Sequence, residues 1–222
     1  MPSALTRLRS AVREDGVTGV ARRIAERGTH SLVLSEEHIW YSLDLAGERP
    51  RRELPEGFEL HLATEAEADD AAHLPNQPGI EEVRARIAGT ADYYIVREHG
   101  TPAFACTIFR ERTPTIAARG GWLELPADTV CLEDSGTSPD FRGRGVAPGA
   151  WTAIADALAE RGFKTMLTKV TVENEPSRKA VTKSGFREAA DMRMRRVGPF
   201  RRVVLSPLGA PGAEFIISAL GG

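Results

Sequence analysis

Apolar and polar residues alternate along several short stretches of the chain, with the period of two that is typical of β-strands. Stretches with this pattern lie at 58–62, 93–97, 103–109, 129–137 and 165–172, with two arginine-rich closing ones near 189–205. The second and third are joined by a turn at 98–100, which predicts a hairpin. A further stretch at 31–45 is interrupted by Glu36 and Glu37 and predicts two short strands.

Before and between these strands, apolar residues recur every three or four positions, which predicts helices. This spacing occurs at 3–27, 64–73, 80–87, 146–161 and 177–183. From residue 58 onward the predicted central order is strand, helix pair, three strands, helix, strand, helix, and then the closing strands. That order is typical of the α/β class, with a mixed sheet that carries helices on its faces.

The polar stretch AGERPRRELPEG at 46–57 predicts a linker between two parts of the chain. We therefore expect an N-terminal extension at 1–55, formed by the amphipathic helix and the short strands. A second domain at 56–222 would contain the remaining elements.

Composition excludes several classes of function for this chain of 222 residues. Its 29 basic and 31 acidic residues give a net charge of −2, so no overall field attracts nucleic acid. No apolar run approaches the roughly 18 to 20 residues of a membrane span, and the N-terminus lacks the apolar core of a signal peptide. We therefore predict a cytoplasmic protein with no membrane partner. Cys106 and Cys131 lie in apolar stretches, which predicts buried thiols and no metal site.

The segment TSPDFRGRGVAPGAW at 137–151 leads from a strand through two closely spaced glycines into an apolar helix. Gly143 and Gly145 permit unusual backbone dihedrals, and the start of the new helix adds the positive end of its dipole. Such a turn favours a phosphate or pyrophosphate ligand. It is not a P-loop, and it departs from the Rossmann pattern because Pro148 stands where the third glycine belongs.

This segment resembles the signature Arg/Gln-x-x-Gly-x-Gly/Ala of the GNAT superfamily, the acyl-CoA-dependent N-acyltransferases. Arg142, Gly145 and Ala147 match the signature. The structural alternative for these residues is a plain tight turn.

A second GNAT motif, Asn-x-x-Ala/Ser followed by Gly-Phe after the next helix, lies downstream. Asn174 and Ser177 match its first part, and Gly185-Phe186 match its second. The resemblance extends over about 57–196. If the second motif had no role in binding, its residues would form an ordinary helix cap.

The resemblance implies a mostly antiparallel, mixed sheet of six to seven strands with flanking helices, and acetyl-CoA or another acyl-CoA as co-substrate. It implies that the strands at 131–137 and 165–172 splay apart to receive the pantetheine arm, while backbone amides of 142–147 hold the pyrophosphate. The residues that the resemblance assigns to acetyl-CoA are Thr137, Arg142, Gly143, Arg144, Gly145, Val146, Ala147, Asn174 and Ser177.

Transfer to an amine needs a proton acceptor, because a primary alkylammonium has a pKa of about 10.4 and is mostly protonated at pH 7. The candidate is Glu133, since several family members carry a proposed base in a similar Glu-Asp pair on this strand. Strict alternation would direct Asp134 to the opposite face. A buried ion pair is the alternative reading of Glu133.

One departure from the family concerns the tyrosine proposed to protonate the leaving thiolate, because Val181 occupies its position here. Thr182 is a weak substitute. The departure leaves open a non-catalytic acyl-CoA-binding or regulatory module. The resemblance places acceptor entry near 73–80 and near the closing hairpin. It makes a small-molecule amine the expected acceptor, but local charges do not identify it. A homodimer also stays open.

Overall fold

The computed structural model describes residues 33–89, 91–197 and 200–221. The helix predicted at 3–27 lies outside these residues, as do the first residues of the stretch at 31–45. Contacts divide the chain into two units. Among the described residues, the smaller unit contains 33–36, 193–197 and 200–204, and the larger contains 37–89, 91–192 and 205–221.

Ten strands and five α-helices make up the regular structure of the described residues. The strands are β1 (Val33–Asp44), β2 (Phe58–Leu62), β3 (Ala91–Glu98), β4 (Thr101–Phe109), β5 (Arg112–Pro114), β6 (Trp122–Glu124), β7 (Thr129–Thr137), β8 (Thr165–Thr171), β9 (Arg187–Val197) and β10 (Phe200–Pro207). The helices are α1 (Ala68–Ala72), α2 (Ile80–Ala88), α3 (Val146–Glu160), α4 (Glu175–Lys183) and α5 (Ala213–Leu220). No helix of the described residues is long and apolar enough to cross a membrane.

Eight strands form one sheet in the order β10-β9-β1-β8-β7-β4-β3-β2. Strands β7 and β8 are parallel, whereas β1 with β8, β2 with β3, β3 with β4 and β4 with β7 are antiparallel. This sheet confirms the predicted mixed, mostly antiparallel α/β class. It has one strand more than the expected six or seven.

Strand β1 is one continuous strand, although the sequence predicted two short ones. Residues 38–44 of β1 pair antiparallel with β8. Glu37 is exposed and its carbonyl accepts a hydrogen bond from the backbone N–H of Val172 at 3.1 Å, so its charge does not interrupt the strand. The boundary predicted near residue 55 therefore does not separate the strands of this sheet, and the division into domains stays a prediction.

The predicted linker packs against α3. A Cβ atom at Gly149 of α3 would lie 2.7 Å from the Cα of Leu54, so the two backbones approach closely. Arg49 and Asp156 form an ion pair between the linker and the same helix. These contacts fix the segment that precedes β2.

Two apolar clusters hold helices on opposite faces of the sheet. On α3, Trp151, Ile154 and Leu158 share one helical face and pack with sheet residues such as Phe104 and Leu132. The other cluster joins α1 and α2 to the opposite face of β3 and β4. The loop predicted at 110–127 contains the small β5–β6 hairpin, and α5 was not predicted.

Candidate functional site

A cleft opens where the two parallel strands part. Paired residues run from Thr129 with Thr165 to Leu132 with Thr168 and end there, although β7 continues to Thr137 and β8 to Thr171. The cleft has a volume of about 1290 Å³ and lies in the larger unit. It extends from the start of α3 and α4 to the carboxylates of β7.

A β-bulge in β7 shapes this end of the cleft. The pairing of β4 with β7 shifts between Ala105 and Thr107, and Asp134 has a φ of +52°. Both Glu133 and Asp134 therefore line the cleft. The expectation that Asp134 faces the other way is wrong, because strict alternation fails at an inserted residue.

The loop before α2 holds the bulge in place. The Asn76 side-chain amide donates to the carbonyl of Ser135 at 3.0 Å, and the Gln77 amide donates to the carbonyl of Asp134. A Cβ atom at Gly136 would lie 1.6 Å from the carbonyl oxygen of Pro75, so only glycine admits this approach. Contacts from the loop before α2 to the main chain of β7 thus build one wall of the cleft.

Asp134 is paired with a buried arginine that the sequence did not single out. Arg86 of α2 donates from Nη1 to Asp134 Oδ2 at 2.5 Å and to Thr107 Oγ1 at 3.0 Å. Burial is the largest influence and lowers the pKa of Arg86, but the hydrogen bond and charge of Asp134 raise it overall. The guanidinium therefore balances the Asp134 carboxylate.

Glu133 forms a buried ion pair with Lys169 of β8, the alternative that its sequence context left open. Its Oε1 atom accepts from Lys169 Nζ, from Thr113 Oγ1 at 3.2 Å and from Cys131 Sγ at 3.3 Å. Within the described part of the chain, no hydrogen bond to Oε2 is present. The arrangement fixes one oxygen of the carboxylate, and the role of Glu133 as a base stays a prediction.

Lys169 has its own set of contacts besides Glu133. Its Nζ donates to the carbonyl of Pro114 at 3.0 Å and lies 5.4 Å from the ring centre of Trp40. Burial is the largest influence and lowers the pKa of Lys169, but the negative charge of Glu133 raises it overall. The ammonium group therefore stays charged.

His38 of β1 is a further titratable group that lines the cleft. The sequence analysis placed this residue in the N-terminal extension. It stands two residues before Trp40 and so projects to the same face as Lys169. Burial and then the charge of Lys169 lower the pKa of His38, against a smaller opposing effect of Glu173. A neutral imidazole at pH 7 is able to accept a proton.

The glycine loop forms the other end of the cleft. Gly143 and Gly145 have φ values of +76° and +83°, and Gly145 is the N-cap residue of α3. A Cβ atom at Gly143 would meet nothing within 4 Å, so its backbone dihedral and not crowding requires glycine there. The predicted residues that line the cleft are Thr137, Arg142, Gly143, Gly145, Val146, Ala147, Asn174 and Ser177.

Arg144 stands apart from the other predicted residues. Of the nine residues predicted to contact acetyl-CoA, all of which the structure describes, Arg144 alone does not line the cleft, although its neighbours Gly143 and Gly145 do. Its guanidinium pairs with Glu98 at the end of β3. The structure thus turns this side chain away from the hollow that the loop encloses.

The second motif forms a helix cap at the edge of the cleft. Asn174 Oδ1 accepts a hydrogen bond from the backbone N–H of Ser177 at 3.2 Å and caps α4. Val181, 3% exposed, lines the cleft and offers no hydroxyl group, and Thr182 is exposed and does not line it. Of the described residues, six cationic side chains line the cleft. Arg86 and Lys169 pair with the two carboxylates of β7. The others are Arg52, Arg142, Lys179 and Lys183, of which the sequence singled out Arg142 alone.

The two cysteines are buried, as their apolar context indicates. Cys106 and Cys131 are each inaccessible to solvent, and burial raises the pKa of both thiols. Neither is a thiolate nucleophile at neutral pH. Within the described residues, no group of three or more histidine, cysteine or acidic side chains is placed to hold a metal ion.

A model of the Acetyltransferase (GNAT) family matches residues 56–186, more than half of the chain. No protein of curated function matches significantly.

Solved structures with a similar fold include three that share 15–17% of their residues with this chain. A putative GNAT acetyltransferase from Novosphingobium aromaticivorans has 17% identity and a TM-score of 0.54, with 74% of this chain and 65% of that chain covered. A GCN5-related N-acetyltransferase from Sphaerobacter thermophilus has 15% identity and a TM-score of 0.51, with 88% and 59% covered. A Drosophila protein has 15% identity and a TM-score of 0.55, with 82% and 58% covered. This chain therefore spans less than two thirds of each of these structures.

Proposed function

The chain belongs to the GNAT acetyltransferase family, and from this membership we propose that it transfers an acetyl group from acetyl-CoA to the amine of a small molecule. The observation that carries the proposal is the continuity of one cleft from the glycine loop to Glu133. A cytoplasmic location and a homodimer stay predictions.

The residues at the loop end fit the phosphates of acetyl-CoA. Gly143 and Gly145 shape a hollow at the N-terminus of α3, where unsatisfied backbone N–H groups and the helix dipole favour anions. Besides Arg86 and Lys169, which pair with carboxylates, four cationic side chains line the same cleft and complement phosphate charge: Arg52, Arg142, Lys179 and Lys183. The parted strands β7 and β8 provide unpaired edges for an extended arm between the loop and the carboxylates.

Acetyl-CoA, when bound, supplies the thioester that the acceptor amine attacks. The amine must lose a proton, and Glu133 Oε2 is our candidate acceptor because the three contacts of this carboxylate all use Oε1. The new C–N bond forms as the C–S bond breaks. A thiol with a pKa of about 8.5 leaves reasonably well as the anion, which suits a site with Val181 in place of a tyrosine.

The environment of the two thiols in this chain favours direct attack by the amine over a mechanism with a covalent enzyme intermediate. Both Cys106 and Cys131 are fully buried with raised pKa values, so neither presents a thiolate to the thioester. We therefore propose that donor and acceptor are bound together when transfer occurs.

A non-catalytic acyl-CoA-binding module is the second candidate. It is favoured by two observations: Val181 offers no proton donor, and Lys169 already pairs with Glu133. In that case acetyl-CoA would bind in the same cleft without acceptor-dependent release of thiol.

The experiment that separates these functions combines two measurements on the full chain. Calorimetry gives the affinity for CoA, and a thiol-sensitive dye follows release from acetyl-CoA across a panel of primary amines, with matched tertiary amines as controls. Release that requires a primary amine supports transfer. Binding of CoA with no release above the tertiary-amine background supports the module, and absence of CoA binding contradicts both.

A further inference from the structure

Arg144 lies between the two left-handed glycines of the loop, and its side chain does not line the cleft. Its Nη1 donates to Glu98 Oε2 at 3.1 Å, and its Nη2 donates to Glu98 Oε1. This is the bidentate, fork-to-fork geometry that fixes both position and orientation of a guanidinium. Glu98 ends β3, so the pair ties the loop to the sheet.

Two aromatic rings lie beside the guanidinium of Arg144, whose side chain is 43% exposed. The guanidinium carbon lies 4.8 Å from the ring centre of Phe58 and 5.4 Å from that of Phe141. The two rings meet edge to face at 5.9 Å and are each less than a tenth exposed. Phe58 pairs directly with Glu98 across β2 and β3, so the acid and one ring share a rigid support.

The loop itself needs such an anchor, because glycine loses more conformational freedom on ordering than any other residue. Gly143 has open space around the position of a Cβ atom, and Gly145 would bring a Cβ atom only to 3.9 Å from Pro55. Arg144 is the one side chain between these two glycines. Its contacts therefore restrict the segment whose backbone faces the cleft.

We infer that Arg144 is a positioning residue, which holds the backbone of 142–146 in the conformation that receives the phosphates of acetyl-CoA without contacting them. The inference rests on the proposed function, since it assumes that this loop binds acetyl-CoA. It replaces the expectation that Arg144 itself contacts acetyl-CoA.

A set of variants separates positioning from direct charge attraction by the sign of the effect on CoA affinity. If Arg144 acted by its charge, Glu98→Gln would release the guanidinium and leave CoA binding equal or tighter, and Arg144→Lys would preserve it. If Arg144 positions the loop, Glu98→Gln weakens binding because its amide NH₂ faces a guanidinium donor. Arg144→Lys then also weakens binding, because an ammonium group lacks both the paired N–H donors and the planar shape of a guanidinium.

We expect Arg144→Met, Arg144→Lys and Glu98→Gln each to weaken CoA binding about five- to tenfold by calorimetry. Glu81→Gln is the matched control, because it neutralises an exposed acid that pairs with Arg84 at 3.1 Å on α2. Acetylpantetheine, which lacks the phosphates, serves as the second donor. Its kcat/KM should be the same in Arg144→Met and the parent protein.

Hydrogen exchange of the amides at 142–146 tests the same inference without a ligand. We expect faster exchange in Glu98→Gln and Arg144→Lys than in Glu81→Gln. If the parent binds CoA and Glu98→Gln binds it equally or more tightly, or if exchange in the loop is unchanged, the inference fails while the proposed function stands. If the parent does not bind CoA at all, the proposed function fails and this inference fails with it.

Discussion

Lys169 and Glu133 form an ion pair at the point where β7 and β8 part, and their side chains are 12% and 10% exposed. The pair joins neighbouring strands across the start of the cleft. Two residues of the β5 strand, Thr113 and Pro114, also contact it. The small hairpin that the sequence treated as a loop therefore braces the centre of the site.

Removal of Lys169 alone should destabilise the protein strongly. In Lys169→Met the Glu133 carboxylate stays buried without its counter-charge, and such a loss costs about 3 to 5 kcal/mol in the free energy of unfolding. Urea denaturation at pH 7 measures the effect. Lys164→Met is the control, because Lys164 is 69% exposed in its pair with Asp128 and should change stability by less than about 1 kcal/mol.

The double variant Glu133→Gln/Lys169→Met completes a cycle on the same pair. It removes both charges, so it should recover much of the stability that Lys169→Met loses. Equal losses in the single and double variants would show that packing around Lys169, and not the ion pair, carries the effect.

Replacement of Glu133 tests its proposed role in proton transfer. Glu133→Gln keeps the shape of the side chain but removes the acceptor, so turnover should fall about 10²- to 10⁴-fold and the pH profile of kcat/KM should shift. The measurement is acceptor-dependent thiol release between pH 5 and 9. His38→Gln is assayed beside it, because the His38 imidazole is another group in the cleft that is able to accept a proton. An unchanged profile in Glu133→Gln removes this residue from the mechanism.

The site residues that could be predicted from the sequence are those that lie close together along the chain. The strand, glycine loop and helix from 129 to 160 depend on local dihedrals and local periodicity, and they were predicted with nearly correct bounds. The cap of α4 by Asn174 is equally local, since it involves Ser177 three residues later. Patterns over a few residues are therefore sufficient to predict these elements and this helix cap.

The partners of the two carboxylates could not be predicted, because strand pairing and helix packing bring them together. Lys169 follows Glu133 by 36 residues, and Arg86 precedes Asp134 by 48. The bulge at Asp134 depends on its register with β4, which alternation along β7 alone does not contain. For the same reason the sequence did not predict the pair of Arg144 with Glu98, which lies 46 residues earlier.

Gly136 should not tolerate a side chain. In Gly136→Ala the new Cβ atom would lie 1.6 Å from the carbonyl oxygen of Pro75, and the backbone at that oxygen cannot give way as a flexible side chain does. We expect a loss of about 3 kcal/mol in stability and a lower kcat, because the bulge that places both carboxylates is displaced. Gly79→Ala is the control, since a Cβ atom there meets nothing within 4 Å. Equal stability of the two variants would contradict the role assigned to this close contact.

Glu67 should make the stability of the protein depend on pH in the acidic range. Desolvation is the largest influence and raises its pKa, but hydrogen bonds from Thr64, His61 and Arg97 outweigh it and lower the pKa of Glu67 to about 2. A carboxylate whose pKa is lowered on folding stabilises the protein above its unfolded pKa, near 4.5, and loses that contribution as the pH falls toward 2.

Glu67→Gln should therefore flatten the acid limb of the stability curve. Urea midpoints of the parent should fall between pH 5 and pH 3, whereas those of Glu67→Gln should fall less, since its side chain has no proton to gain. At pH 7 the variant should be less stable by about 1 kcal/mol, because these pairs lie near the surface where solvent screens them. Glu59→Gln is the control, since it removes an exposed acid of β2 that makes none of these contacts. If Glu67→Gln and the parent lose stability in parallel as the pH falls, the hydrogen bonds to Glu67 do not stabilise its charged form, and the acid sensitivity of the protein arises elsewhere.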